Sequence, residues 1–538
     1  MSHHRFKGFL LTASLLAMLL LATRPTVPPA TEQIGYQLLQ PQLASAHLRF
    51  LASDELEGRE TAKRGQKIAA RYIASHFERL GLTPLGDSGT FFQRFTVKER
   101  RLGQKSQLVV KAGNTVHTYR KLFEDFAFSL RSAHAAELSG TVVFCGYGIR
   151  DRKLGYSDYD GVDAKGKMVL LLAGAPRTQA QSAALERWSD AYTKYVAALD
   201  AQPAAVCIVV GHSGTPSLAE QFATMKDQLA MSTMSLHQPE SEPVSTLSRA
   251  ERAPLIFISA EVANAILSPR KKTVNELATA FSLSRSASFE LKTVRLELTI
   301  DVEEDILASE NVCAMLEGSD SVMKHEAIVY SAHYDHVGVG ISGRVFNGAD
   351  DDGSGTTAVL MLAEAFAKNG VRPPRSIIFL TVAGEEKGLL GSRFYTEHPK
   401  FPLQRTVANL NIDMIGRIDE KYEKLGNPNY VYVIGSDKIS KDLDAVLQRQ
   451  NRATVNLTLD YRYNDDNDPN RFYYRSDHYN FAKNGIPVIF FFNGTHADYH
   501  EPSDDFEKIH LEKMVKIVKL TFAVGWELAH RTEPLRRH

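Results

Sequence analysis

Cysteine is nearly missing from this chain: Cys145, Cys207 and Cys313 are the only three in 538 residues. Each sits inside an apolar run (VVFCGYG, AAVCIVVG, ENVCAML). An odd, sparse set of this kind excludes a disulfide framework and reads as buried thiols. Excess charge of either sign is also missing, with Lys+Arg and Asp+Glu both at 63. That balance argues against nucleic acid or an anionic membrane surface as a partner. The N-terminal apolar run, Phe9 to Ala22, is shorter than the ~20 residues a spanning helix needs. Flanked by Arg5, Lys7 and Arg24, it reads as an export signal within residues 1–30, cut after Ala22 or near Ala30, with an uncleaved anchor as the rival. No cysteine follows it, which argues against a lipoprotein anchor. The expected location is periplasmic or secreted. At 43% hydrophobic content the chain is globular, and its length exceeds what one core accommodates.

What is present is a repeated grammar between Ser331 and Asp413: a short apolar run, then His, Asp or Glu where it stops. AIVYSA ends in His333 and Asp335, SIIFLTVAG in Glu385 and Glu386, and VANLNI in Asp413. FNGADDDGSG supplies Asp350, Asp351 and Asp352 before a helical pattern. Buried runs alternating with helical segments indicate parallel strands in an α/β sheet. Ligands of such sheets bind outside the carboxyl ends of the strands. A further strand, VIFFFNG, leads into THADYHEPSDD with His496 and His500. Like charges brought together need an offsetting cation. His and carboxylate donors without cysteine suit zinc. The set exceeds the needs of one tetrahedral ion and fits two metals sharing a carboxylate, roughly 3.5–4 Å apart.

HYDHVG, GADDDGSG, GEEKGLLGS, NIDMIG and DYHEPSDD, in this order, resemble the secreted co-catalytic two-zinc aminopeptidases related to glutamate carboxypeptidase and transferrin receptor. The resemblance implies an α/β fold of zinc-exopeptidase, phosphorylase/hydrolase-like type: a mixed central sheet flanked by helices. It implies two Zn2+ per chain and peptide substrates with a free N-terminus. The expected metal ligands are His333, Asp351 as the bridge, Glu386, Asp413 and His500, with a non-proline cis peptide after Asp351. Asp350 and Asp352 are the fallbacks for the bridge, and His496 is the alternative to His500. Glu385 is the expected general base, Tyr499 the phenol facing the oxyanion, and Asp335 the carboxylate that sets the His333 tautomer. His336 matches no role. Asp477 and His478, in RSDHYNF, are expected in a supporting shell.

Four domain segments are expected: a signal over 1–30, the N-terminal part of the peptidase domain over 31–105, an insert over 106–292 and the main peptidase part over 293–538. YSDYDGVDAKGKMVLL resembles a protease-associated domain, a smaller β-rich α/β module whose usual implication is a lid or substrate-entry role. Residues 25–34 read as a linker, Ser213–Glu251 as an exposed excursion, and Glu57, Arg59 and Glu60 as solvated charge. GSGTTAVLMLAEAFAKNG is expected to form a helix with Val359, Leu362, Ala363 and Phe366 on one face. The acidic loop Asp460–Arg475 lacks EF-hand spacing. The rival functions are glutaminyl cyclase and carboxypeptidase chemistry on the same fold. No clear cluster of Arg near the site motifs favours the latter.

Overall fold

The computed structural model describes residues 27–130, 134–176, 183–223, 225–237, 253–280 and 288–538. The expected signal lies almost wholly outside them. The chain forms two compact units, Met1–Phe95 with Ser309–Gly338 and Val345–His538, and Thr96–Ala308 with Val339–Arg344.

The sheet of the first unit contains β1 (Val302–Leu316), β2 (Ala327–His333), β3 (Ser376–Val382), β4 (Thr406–Ile412), β5 (Tyr430–Ile434), β6 (Thr458–Asp460) and β7 (Val488–Phe492), in the order β1-β3-β2-β4-β7-β5-β6. β3, β2, β4 and β7 are mutually parallel, whereas β1 and β5 run antiparallel to their neighbours β3 and β7. Every residue of β2, β3 and β7 is buried. Such unbroken apolar runs require cover on both sheet faces. Helices supply it: α1 (Pro41–Leu51), α2 (Arg64–Arg79), α3 (Gly355–Ala367) and α4 (Leu511–His530).

Register positions the site. His333 pairs with Val382, so Glu385 and Glu386 begin three residues past the same level. Ser331 pairs with Asn411, which brings Asp413 level with His333 two residues later. Helix α3 starts just after the Asp350–Asp352 turn and is buried from Gly355 to Phe366 on all sides, rather than along one face. It packs against β2, β3, α1, α2 and α4 at once, so no face remains for water.

The second unit has an eight-stranded sheet in the order Thr115–Tyr119, Gln107–Ala112, Phe289–Ile300, Ala136–Phe144, Met168–Leu172, Ala205–Val210, Leu255–Ser259, Phe126–Ala127. Strand Phe289–Ile300, of which the part from Val294 was expected with the peptidase segment, pairs along its length with Gln107–Ala112 and Ala136–Phe144. The unit boundaries therefore fall at Thr96 and Ala308, inside long strands, where turn residues give no sign of them. Part of the expected Ser213–Glu251 excursion is ordered structure. Leu218–Phe222 forms a helix whose Leu218 and Phe222 enter a hydrophobic cluster, and Thr233–Leu236 pairs with Val97–Arg100. Residues 238–252 lie outside the described set. The expected linker contains a 3-10 turn, Ala30–Glu32, with Ala30 buried. All three cysteines are buried and free.

Candidate metal centre

The strand ends converge. His333 Nε2 lies 3.2 Å from Asp351 Oδ1, 3.7 Å from Asp413 Oδ1 and 3.9 Å from Glu385 Oε2. On the other side of Asp351, Oδ2 is 3.0 Å from His500 Nε2, which lies 3.1 Å from Glu386 Oε2. The five expected ligands thus form two groups joined by one carboxylate. Asp350 and Asp352 are occupied elsewhere. Asp352 accepts from the backbone N–H of His333, Gly355 and Met414, and Asp350 Oδ1 accepts from Gly416 N–H at 2.6 Å. Only the middle acid presents both oxygens to imidazoles. The peptide between Asp351 and Asp352 is cis. Gly348, at φ +57°, closes the turn from below. A Cβ there would stand 2.2 Å from the Asp351 carbonyl and 2.5 Å from the His336 ring, so only glycine fits.

The His333 tautomer is set by a backbone carbonyl. Nδ1 lies 3.1 Å from the Asp335 carbonyl oxygen, which can only accept, so Nδ1 carries the proton and Nε2 presents its lone pair to the acids. The Asp335 carboxylate, expected in that role, is 3.8 Å from Nδ1. It instead accepts from Thr61 Oγ1 at 2.6 Å and from Glu385 N–H at 3.3 Å. Asp335 thereby steadies the backbone of Glu385, because an extended chain turns the residue's carbonyl, not its side chain, toward the imidazole.

His336 is drawn into the centre, although its sequence position suggested no role. Its Nδ1 is 2.8 Å from Glu386 Oε1 and 3.9 Å from Asp351 Oδ2. His496 is not part of the ligand ring; its Nε2 lies 3.3 Å from Asp350 Oδ2. Ser476 Oγ donates to Asp413 Oδ2 at 2.7 Å and accepts from Asn411 Nδ2 at 2.9 Å. Asp504 Oδ2 accepts from the N–H groups of Asp350 and Asp351 at 3.0 and 3.1 Å. His478 stacks on Phe490 at 4.7 Å, and Asp477 is buried beside it.

Arg59, expected to be solvated, is 1% exposed. Its guanidinium donates to the carbonyls of Tyr334 (2.9 Å), Asn347 (2.7 Å), Gly348 (2.9 Å) and Leu51. It ties the β2 exit to the turn that carries Asp351. The planar five-donor fork suits this task, and a point charge does not.

Electrostatics follow from burial and proximity. Burial pushes the Glu385 carboxyl well above the usual range, with Glu386, Asp477 and Asp413 adding to the effect and His333 opposing it. Burial also works to raise Asp351, but bonds from His333 and His500 hold it well below normal. Burial opposes protonation of His500, yet the facing Glu386 and Asp351 carry it up to about 11. Burial lifts the Tyr499 hydroxyl further above its ordinary value, so the phenol stays protonated. Its ring stacks on His500 at 4.0 Å.

The residues fit divalent cations. His333–Asp351–Asp413 and His336–Asp351–Glu386 each gather donor atoms within 4.8 Å of one another. Glu386, His336 and His500 turn their buried polar atoms toward one another and toward Asp351, a packing of donor atoms that suits a metal. The donors are nitrogen and oxygen only, which suits zinc. Beside them opens a cleft lined by Met414, Phe472, Phe490, Phe492, Thr495 and Arg475 along with the site residues. The Arg475 guanidinium lies over the Phe472 ring at 4.8 Å.

Residues 311–524 match the family described as Peptidase family M28. Aminopeptidase YwaD of Bacillus subtilis is 30% identical over 222 residues, 38% of this chain and 42% of that protein. A probable leucine aminopeptidase 2 of Aspergillus oryzae is 27% identical over 265 residues, 44% of this chain and 48% of that one. The chain spans about half the length of the curated relatives it matches. Among solved structures, an aminopeptidase from Aneurinibacillus sp. strain AM-1 has the same fold at a TM-score of 0.55 and 18% identity, covering 94% of this chain and 97% of that one. A zinc aminopeptidase from Bacillus subtilis superimposes at 0.52 and 20% identity, covering 93% and 97%.

Proposed function

We propose, from the match of residues 311–524 to peptidase family M28, that the protein is an exported zinc aminopeptidase that holds two ions and removes N-terminal residues from peptides. One observation carries this reading: Asp351 presents one oxygen to His333 and the other to His500. His333 and Asp413 would hold one zinc, Glu386 and His500 the other, with Asp351 shared between them. When bound, such a pair polarises a carbonyl oxygen and lowers the pKa of a water to near neutrality.

The residues of the chain do the rest. Glu385 stands at the cleft without a place in the ligand set. Its raised proton affinity suits a group that takes a proton from the attacking water and returns it to the leaving amine. Asp335 holds the Glu385 backbone through its N–H. Tyr499, kept protonated, can donate to the oxygen that gains charge as the carbonyl becomes tetrahedral. Aromatic and methionine side chains exclude water and favour an apolar side chain on the residue removed. A protease-associated role for the second unit, in substrate entry, belongs to the same proposal.

The deciding experiment is a panel of aminoacyl-nitroanilides and glutaminyl peptides, presented to zinc-reconstituted protein. Release of nitroaniline from apolar residues, abolished by chelator and restored by two equivalents of zinc, is the expected outcome. Pyroglutamate as the main product would replace this reading with the cyclase one.

A further inference from the structure

A second set of metal-type donors lies on the helices. His47 on α1, His76 on α2 and Glu364 on α3 each offer one ligand atom, all within 4.8 Å of one another. His47 is 6% exposed, His76 7% and Glu364 8%. The Nε2 atoms of both histidines are buried without a hydrogen-bond partner. His76 Nε2 lies 3.8 Å from Glu364 Oε2, and the two imidazoles meet edge to face at 4.7 Å. His47 Nδ1 is 2.8 Å from the Tyr72 hydroxyl, a partner of the kind that turns the other ring nitrogen toward a metal.

We propose that His47, His76 and Glu364 form a third cation site, for a zinc-class transition-metal ion, that clamps α1, α2 and α3 together. Two imidazoles and one carboxylate are a sufficient protein ligand set, with water as a fourth ligand. Closing on an ion draws the donors together by ~1 Å, since Zn–N and Zn–O bonds are near 2.0–2.2 Å.

Arg79 is the competitor. It donates to Glu364 Oε2 at 3.0 Å and approaches His76 Nδ1 at 3.1 Å. Lys368 pairs with the other Glu364 oxygen, and the Leu360 carbonyl also faces His76. The Arg79 side chain is half exposed, so solvent can take it up, whereas the histidines are buried. Ion and guanidinium would therefore exchange at Glu364. The site is remote from the strand ends, because Glu364 lies nine helical steps beyond Gly355 on α3, ~14 Å along a helix axis.

The test uses full-length protein carrying Asp351→Asn and Glu386→Gln, which disable the other centre, stripped with chelator and titrated with zinc alone. One retained equivalent per chain, with a higher melting temperature on zinc addition, is expected. Adding His76→Gln should abolish both, and Arg79→Gln should tighten zinc binding about tenfold. Should the His76 variant fail to fold, the Arg79 comparison decides alone. No retained zinc, retention indifferent to His76, or affinity unchanged by Arg79→Gln would overturn the proposal.

Discussion

Asp351 Oδ1 approaches His333 Nε2 to 3.2 Å while the opposite oxygen of the same carboxylate serves His500. One side chain therefore belongs to both halves of the centre, whereas Asp413 belongs to one. Asp351→Asn is expected to release both metals, and Asp413→Asn to release one, by metal analysis after gel filtration. Equal losses from the two variants would mean that Asp351 does not bridge.

Glu385→Gln keeps the shape of the side chain but cannot take a proton. Turnover should fall ~10²–10⁴-fold while zinc content stays at the level of the unaltered protein. A parallel loss of metal would make Glu385 a ligand instead of a base.

Arg59→Met strands four buried carbonyls and removes the cation that faces Asp352, Asp335 and Asp351. A loss of ~3–5 kcal/mol in urea unfolding is expected, as for one partner of a buried ionic network. Arg59→Lys should recover little, because three donors around a point cannot reach four carbonyls in a plane. A midpoint within error of the unaltered protein would refute the anchoring role.

Burial in the second unit holds the Lys194 ammonium down from 10.5 to about 7, with Asp158 and Asp190 opposing the shift. Between those values the unfolded chain binds a proton that the folded chain does not. Stability attributable to Lys194 therefore rises with pH across that window, by up to ~1.4 kcal/mol per unit, and the cost is fully present below about 7. Melting temperatures of Lys194→Met should show a flatter rise from pH 7 to 10 than the unaltered protein. Parallel curves would contradict the assignment.

Much of the fold was legible because its signals are local. Apolar runs ending in His333, Glu385 and Asp413 announce both a strand and a donor, and register then brings the donors level. His500 needed the motif around it, since no strand carries it. Arg59 and His336 were illegible for a physical reason: both are held by backbone carbonyls or carboxylates far away in sequence, and hydrophobic periodicity does not encode such partners. Residues Val294–Ile300 were assigned to the wrong unit because alternation reveals a strand but not its neighbour.

His333 and Asp413 leave adjacent rungs of one hydrogen-bonded ladder, and Glu385 leaves the rung on the other side. Neighbouring rungs of any sheet stand ~4.8 Å apart, a length fixed by the peptide group and indifferent to side chains. The gauge of the centre is thus built from main chain. Single substitutions can empty it or retune it, but widening it for larger ions would take a new strand.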